Sequence, residues 1–258
     1  THSNVENKIF IFTPILFRVN ILPLHKKVDR NKFRLKYLNK KFIIPVHNEI
    51  EEAKLWRAKS GGVDVYFIEN EKYFGREGVY VDSQGDYPDS AQRIIFFCRA
   101  VLESCKSIDF KPDIIHCNDM HTGLIPAYLD TLYRIDAFFN DASTVYTIHN
   151  IAYQGTYPSD IHFQAGFSRE DFIPEKMEYH GGVNFMKCGI VYSDIVTTVS
   201  PTYAEQIQSF REHGKGLEGI LAKRSGNVHG ILNGIDRNEW NPQTDKLIKS
   251  NFFIYLHI

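Results

Sequence analysis

Short apolar segments alternate with longer amphipathic segments from residue 60 onward, and no other feature of this sequence restricts the fold as strongly. Apolar runs predict strands at residues 63–67, 113–117, 145–148, 195–199 and 228–232. Apolar side chains at three- and four-residue spacing predict helices at residues 91–105, 122–133 and 201–210. Strands that alternate with helices form right-handed crossover units around a parallel sheet, and strands that are apolar throughout are covered on both faces. We therefore predict an α/β fold with a doubly wound, mostly parallel sheet and helices on both faces.

Charge and hydropathy exclude several classes of protein. The 258 residues include 30 Lys and Arg against 31 Asp and Glu, for a formal net charge of −1. This balance argues against nucleic acid as a partner, because phosphate binding favours a basic surplus. Hydrophobic residues make up 43% of the chain, which is enough to build a core and argues against disorder. No apolar run reaches the roughly 18–20 residues of a membrane helix, so we expect no membrane partner.

The cysteines indicate the compartment. Cys98, Cys105, Cys117 and Cys188 lie inside apolar runs and show no CxxC pairing. This pattern is typical of buried, reduced thiols, and disulfides are rare in the cytosol. We predict a cytoplasmic protein.

The two ends of the chain differ from its centre. Residues 1–22 carry Ile and Phe runs but no glycine-rich turn of the kind that usually follows the first strand of such a sheet. Within the tail at residues 246–258, the stretch at 252–258 is apolar, with nothing after it to pack against. We therefore predict an atypical N-terminal segment at residues 1–22, one domain at residues 22–245, and truncation at both ends.

Polar side chains follow the predicted strands. Asp119 and His121 come after the strand at 113–117, His149 and Asn150 follow the next strand, and Asn233 follows the last. Ligands of open α/β sheets bind beyond the carboxyl ends of the strands. Asp, His and Asn side chains suit the recognition of several hydroxyl groups, as in a sugar. The alternative for each residue is a turn or a helix cap, which is also what Ser200 before Pro201 indicates.

Three other patterns support site hypotheses less well. A metal site would use His116, Cys117, Asp119 and His121, but strand alternation sends His116 and Cys117 to opposite faces, and we predict no metal site. The turn at residues 213–216 lacks the spacing of a phosphate-binding loop. Residues 26–41 are rich in Lys and Arg, and nearby glutamates offset them, so we interpret this run as solvated surface.

Four motifs resemble one family in order and spacing. They are HCNDMHTGL at residues 116–124, TIHNIAYQG at 147–155, TVSPTYA at 198–204, and ILNGID at 231–236 with WNP at 240–242. Together they resemble the N-terminal domain of bacterial glycogen synthase and plant starch synthase, over roughly residues 22–245. These ADP-glucose-dependent enzymes have the GT-B fold of two Rossmann-like domains.

The resemblance implies a retaining glycosyltransferase. It would transfer glucose from ADP-glucose to the non-reducing end of an α-1,4-glucan, without a metal or other cofactor. The resemblance implies catalytic roles for His149 and Asp119. It implies sugar-binding roles for four further residues: Tyr80, His121, Asn150 and Asn233.

The sequence departs from the family pattern in ways that affect activity. The family's Lys-x-Gly-Gly-Leu donor loop is missing from its usual place after the first strand, since Gly61 and Gly62 follow Lys59 but lie too late in the chain and precede Val63 instead of leucine. The family's C-terminal domain, which supplies most ADP contacts, is also missing. Met120 replaces the usual aromatic residue, and Ser90 replaces an asparagine. We expect little or no transferase activity from this chain alone. The alternatives are a non-catalytic glucan-binding module or pseudoenzyme fragment, and a GT-B enzyme for another nucleotide sugar, which the 147–155 motif disfavours.

Overall fold

The computed structural model describes residues 9–12, 18–83, 85–236 and 240–252. The strands are β1 (Ile9–Phe12), β2 (Arg18–Pro23), β3 (Lys36–Val46), β4 (Glu49–Ser60), β5 (Val63–Glu69), β6 (Val81–Asp82), β7 (Gly85–Asp86), β8 (Ile114–Asn118), β9 (Ser143–Ile148), β10 (Thr156–Pro158), β11 (Glu178–Tyr179), β12 (Gly182–Asn184), β13 (Ile195–Thr198) and β14 (Val228–Gly230). The helices are α1 (Glu71–Phe74), α2 (Ser90–Ser107), α3 (Leu124–Asp130), α4 (Ile161–Gln164), α5 (Phe185–Tyr192), α6 (Pro201–Ser209), α7 (Arg211–Gly214) and α8 (Glu218–Lys223).

The main sheet has nine strands in the order β14-β13-β9-β8-β1-β2-β5-β4-β3. The pairs β8–β9, β9–β13, β13–β14 and β2–β5 are parallel, and β1 lies antiparallel to both β2 and β8. The ends of the parallel strands are level, since Asn118 pairs with Thr147 and Thr198 pairs with both Ile148 and Gly230. The carboxyl ends of β8, β9, β13 and β14 therefore meet at one edge, where the sequence predicted a binding site.

Most predicted elements lie where the sequence placed them. The helix predicted at residues 91–105 is α2, and Ser200 caps α6 by accepting a hydrogen bond from the Tyr203 amide at 3.0 Å. Helix α3 is shorter than predicted at both ends, because Thr122 belongs to a separate 3₁₀ turn at residues 120–122 and residues 131–135 form turns after Asp130. Much of the segment predicted at residues 1–22, and residues 253–258 of the tail, lie outside the described residues. No described helix is long and apolar enough to cross a membrane.

The hairpin of β3 and β4 was not predicted, whereas the interpretation of residues 26–41 as solvated surface is confirmed, because nearly all of these residues are exposed. The charged side chains of β3 do lie in solvent, but its backbone pairs with β4, and Ala53 and Leu55 of β4 are buried. A two-residue turn joins the strands, with His47 at a φ of 54°. The ladder is interrupted between Tyr37 and Lys41. An antiparallel hairpin with one solvated face needs few apolar residues, which hid it in the sequence.

The helices form one layer on one face of the sheet. Contacts run in series from α2 to α3, α5, α8 and α6. Their buried apolar side chains join one core cluster with Cys117 and Tyr146 of the sheet. Helix α5 can approach β9 closely because Gly189 has no Cβ. A Cβ at this position would overlap the ring of Tyr146. The main core therefore lies between this helix layer and one face.

The other face carries a smaller cluster and a polar row. Leu24, Val65 and Phe67 pack together with neighbours that include Trp56. In the middle of the sheet, the hydroxyl of Thr147 lies 2.6 Å from His116 Nε2 and 2.6 Å from the hydroxyl of Thr197. The sequence also predicted helices for this face, and the described residues supply none.

Arg224 fastens the end of α5 to the segment that leads into β13. Its guanidinium donates hydrogen bonds to four backbone carbonyls, those of Ile190, Val191, Ser193 and Asp194. The last carbonyls of a helix have no partner inside the helix, so the contact satisfies groups that would otherwise need water. Arg224 thus stabilises the connection from α5 to β13.

Replacement of Arg224 by Met should lower the free energy of unfolding by roughly 2–3 kcal/mol, because a charged donor is lost and half-buried carbonyls lose their partner. Urea unfolding followed by circular dichroism measures this. The matched control is Arg134→Met, at an exposed position, where we expect a change within about 0.5 kcal/mol. Equal effects of the two substitutions would contradict the proposed contact.

Candidate functional site

Asp119 and His149 meet at the carboxyl edge of the sheet, directly after the ends of β8 and β9. The backbone amide of His149 donates to Asp119 Oδ1 at 2.8 Å. The amide of Asp119 donates in turn to the Thr147 carbonyl at 3.0 Å. These bonds extend the parallel ladder by one step beyond both strands, so the two predicted catalytic residues lie side by side.

Asp119 has a backbone conformation that L-residues rarely adopt. Its φ is 53° and its ψ is −174°. This region is almost confined to glycine and costs of order 1–3 kcal/mol for other residues. Strain of this kind often marks functional sites, since the rest of the structure must enforce it. Here it turns the chain sharply from β8 into the 3₁₀ turn and sets the carboxylate against the His149 amide.

The Asp119 carboxylate is largely removed from solvent. Burial raises its pKa above the ordinary value, while hydrogen bonds from the backbone amides of His149 and Asn150 and the nearby His149 ring oppose the rise. A desolvated carboxylate interacts strongly with any positive charge that develops nearby. This arrangement suits the stabilisation of a cationic transition state.

Hydrogen bonds hold both the ring of His149 and the backbone turn that follows it. Its Nε2 lies 2.9 Å from Asn118 Oδ1, and its side chain is half-buried. The following turn is fixed because the amide of Ile151 donates to the Tyr203 hydroxyl at 3.1 Å. Asn150 is exposed and accepts a bond from the Ala152 amide at 3.0 Å. The sequence offered no signal for Asn118 beyond its position before Asp119.

Tyr80 and His121 form a second group. Their rings lie 5.0 Å apart at an angle of 39°, and Tyr80 is 41% exposed. Both residues line a cavity of about 170 Å³, together with Arg93 and His25. Burial and the Arg93 guanidinium lower the pKa values of His121 and His25 to about 4. Within the described residues, His121 Nδ1 is buried without a hydrogen-bond partner.

Asn233 is not joined to either group. It lies three residues beyond β14, in an exposed segment at the same edge of the sheet. Among the described residues it makes no hydrogen bond. The structure thus brings together Asp119, His149 and Asn150, pairs Tyr80 with His121, and leaves Asn233 apart.

The described residues contain no group of three or more His, Cys, Asp or Glu side chains that could hold a metal ion. Cys117 is fully buried in the main core, whereas His116 belongs to the polar row on the other face. The alternation inferred from the sequence is therefore confirmed. All four cysteines are buried and unpaired.

Comparison with known proteins identifies one family. The sequence profile of the starch synthase catalytic domain matches residues 18–223. Glycogen synthase of Elusimicrobium minutum is 46% identical over 231 residues, which cover 90% of this chain and 48% of the relative. Glycogen synthase 2 of Geobacter sulfurreducens is 41% identical over 232 residues, covering 90% and 48%. The chain spans about half the length of the curated relatives it matches.

A solved structure is also similar. It is the catalytic domain of starch synthase IV from Arabidopsis thaliana bound to ADP and acarbose, with a TM-score of 0.79 and 34% identity. The match covers 90% of this chain and 47% of that one. The predicted α/β class and mostly parallel sheet are confirmed.

Asp119→Ala should lower the free energy of unfolding more than Asp119→Gly does, by about 1–3 kcal/mol. Both variants lose the carboxylate, but only alanine keeps a Cβ at this φ and ψ. The difference between the two urea unfolding curves therefore measures the strain alone. Equal stability of the two variants would show that Asp119 is not strained.

Acid should destabilise the chain between pH 6.5 and pH 4. Burial is the largest cause that lowers the pKa values of His25, His116 and His121 to about 4, so these rings stay neutral in the folded chain. Unfolded histidines titrate near 6.5, so below that pH the unfolded chain binds more protons. The contribution of these three rings to the free energy of unfolding is therefore fully present above pH 6.5 and is lost as the pH drops toward 4.

His121→Gln should flatten this dependence by up to about 1.4 kcal/mol per pH unit. Urea unfolding at half-unit steps between pH 7 and pH 4.5 measures the slope. His229→Gln, at an exposed position of β14, is the matched control and should leave the slope unchanged. An unaltered slope in His121→Gln would mean that His121 is not a buried neutral ring.

Proposed function

This chain belongs to the starch synthase catalytic domain family, and on that premise we propose that it is the acceptor-binding part of a retaining glucosyltransferase. The reaction moves glucose from ADP-glucose to the non-reducing end of an α-1,4-glucan. The acceptor glucan is the partner of this chain. ADP-glucose is the donor substrate in a complete enzyme, and the reaction requires no metal or other cofactor.

The observation that carries this proposal is the pairing of Asp119 and His149 at the level carboxyl ends of β8 and β9. A carboxylate and an imidazole are fixed there, and the Asn150 side chain is exposed beside them. Sugars present several hydroxyl groups that both donate and accept hydrogen bonds; the carboxylate and the imidazole can accept such bonds, and the Asn150 amide group can donate and accept them. Tyr80 adds an exposed aromatic ring, which suits contact with the apolar face of a sugar.

The chemical roles follow from the charge that glycosyl transfer develops. The transition state resembles an oxocarbenium ion, so positive charge appears at the sugar ring. A buried carboxylate such as Asp119 and a fixed dipole such as His149 stabilise this charge without reorganising. His121 and Asn150 bind acceptor hydroxyls, and Asn233 closes the cleft from the end of β14.

Isolated, this chain should bind glucan but transfer little or no glucose. It spans about half of the relatives it matches. The donor diphosphate needs cationic groups and oriented amides, and each charge-assisted contact contributes about 1.5–3 kcal/mol. Loss of several such contacts abolishes useful donor affinity. The compartment we propose is the cytoplasm, where the four buried thiols would stay reduced.

A second candidate is a glucan-binding module without catalysis. The departure from the family's Lys-x-Gly-Gly-Leu donor-loop motif favours it. Two measurements separate the candidates. Affinity electrophoresis in gels with and without glycogen tests binding, and ADP release from ADP-glucose in the presence of glycogen tests transfer.

The decisive experiment fuses this chain to the half of the Elusimicrobium minutum relative that it does not match. ADP release by the fusion, with glycogen binding by both proteins, supports the proposed function. Glycogen binding without ADP release in the correctly folded fusion supports the non-catalytic module. Absence of binding in both proteins would contradict both candidates.

His149→Ala in the active fusion should lower kcat by roughly 10²–10³, the effect of removing one group that stabilises a transition state. Its thermal stability should change less than that of a core variant such as Ile148→Ala, because His149 is half-buried and Ile148 is fully buried. Steady-state ADP release and thermal unfolding measure the two effects. A kcat within about twofold of the unsubstituted fusion would make His149 a structural residue.

A further inference from the structure

The ring of His149 is held by a side chain for which neither the sequence motifs nor the comparisons indicate a role. Asn118 is the last residue of β8 and is 6% exposed. Its Oδ1 lies 2.9 Å from Nε2 of His149. The backbone of Asn118 is itself anchored. Its N–H donates to the Thr122 hydroxyl at 2.5 Å, and its backbone carbonyl accepts from that hydroxyl at 2.8 Å. The acceptor for the His149 ring is therefore fixed in place.

Asn118 and Asp119 form hydrogen bonds with two separate groups of His149. Asp119 holds the backbone amide, at 2.8 Å, and Asn118 holds the imidazole, at 2.9 Å. Two adjacent residues of one strand end thus set both the position of the His149 chain and the orientation of its ring. Rotation of the ring would break the second bond, and loss of a hydrogen bond at a buried polar group costs about 1–3 kcal/mol.

An amide oxygen only accepts hydrogen bonds, so the bond to Asn118 requires the proton of His149 to lie on Nε2. In neutral imidazole the other nitrogen, Nδ1, then carries a lone pair. No group in the described part of the chain hydrogen-bonds to Nδ1. The neutral ring can therefore accept a hydrogen bond at Nδ1 but has no second N–H to donate.

We propose that Asn118 is a positioning residue that fixes the Nε2–H form of His149, so that neutral His149 binds a sugar hydroxyl as a hydrogen-bond acceptor at Nδ1. The role in sugar binding rests on the proposed function, whereas the state of the ring does not. His149 then recognises a hydroxyl that donates its proton to the ring, and it cannot serve as a neutral donor to the substrate.

The direct test is nuclear magnetic resonance of the whole chain labelled with ¹⁵N in histidine. At pH 8 the nitrogen shifts of His149 should identify Nε2 as the protonated nitrogen. The Nε2 proton should be protected from exchange with solvent at least about tenfold relative to an exposed histidine such as His229. Nδ1–H as the main form, or an Nε2 proton that exchanges as fast as that of His229, would overturn the proposal.

Two substitutions of Asn118 separate orientation from folding. Asn118→Asp keeps an acceptor at the same place and adds a negative charge, so it should preserve the Nε2–H form and raise the titration midpoint of the His149 ring by about 1 pH unit or more. Asn118→Leu has a similar volume and no acceptor, so it should abolish the exchange protection. The dispersion of the amide spectrum shows whether each variant folds, and the result on the unsubstituted chain stands if either does not.

Asn150→Asp is the matched control, because it adds the same charge one residue from His149 but at an exposed side chain. Solvent screens an exposed charge, so the midpoint of the His149 ring should shift by less than about half the shift in Asn118→Asp. Equal shifts in the two variants would mean that charge near the ring matters and the contact with Asn118 does not.

Maltotriose added to the labelled chain tests the second part of the proposal. Binding should move the Nδ1 resonance of His149 in the direction of an accepted hydrogen bond and leave Nε2 protonated. Binding with no change at Nδ1 would overturn the assigned acceptor role. If maltotriose does not bind at all while the Nε2–H form is intact, the proposed function is overturned. The inference that Asn118 fixes the His149 ring would then still stand.

Discussion

The parallel pairing of β8 with β9 is the constraint on which the rest of the candidate site depends. Asn118 is the last residue of β8 and lies opposite Thr147, which is one residue before the end of β9, so Asp119 and His149 leave the sheet within one residue of each other. A shift of one residue would send the side chains of β8 to opposite faces and separate the carboxylate from the histidine amide. The pairing of β9 with β13 continues the same level edge to Ser200, which begins α6. Backbone hydrogen bonds therefore set the geometry, and side chains refine it.

The sharp turn at Asp119 shows how the fold tolerates a local cost. A left-handed aspartate is unfavourable, but its carboxylate accepts the His149 amide and its own amide donates to Thr147. Both bonds form while Asp119 holds this conformation. The main core beside it is fully packed through Cys117 and Tyr146, which leaves the strand end no room to relax. The packed core around Cys117 and Tyr146 thus helps to keep the strained turn at Asp119 in place.

The sequence predicted the parallel half of the sheet well and the antiparallel half poorly. Strands such as β9 are largely buried and rich in β-branched and aromatic residues, and the helix α2 has a clear amphipathic period, so the local pattern was enough to predict them. In the hairpin of β3 and β4, charged residues are mixed with apolar ones, and the pairing of the two strands is interrupted between Tyr37 and Lys41. The lysines of β3 made this segment resemble a solvated loop in the sequence. Motif positions located Asp119 and His149, but no local pattern could predict that Asn118 reaches the His149 ring or that Tyr80 packs on His121. Those contacts join residues 31 and 41 positions apart in the sequence, and only the tertiary fold brings them together.

The outermost strand has a consequence for how copies of this chain meet. β3 forms one edge of the sheet, where unpaired backbone groups would normally invite another strand to add. Here the ladder is broken between Tyr37 and Lys41, the side chains of Lys36 and Lys41 are exposed, and Lys40 turns away to the Ser107 carbonyl at the end of α2. Positive charge and an irregular backbone make this edge a poor template for a second β3. Sheet extension through β3 is therefore disfavoured, and we expect any self-association of the chain to use another surface.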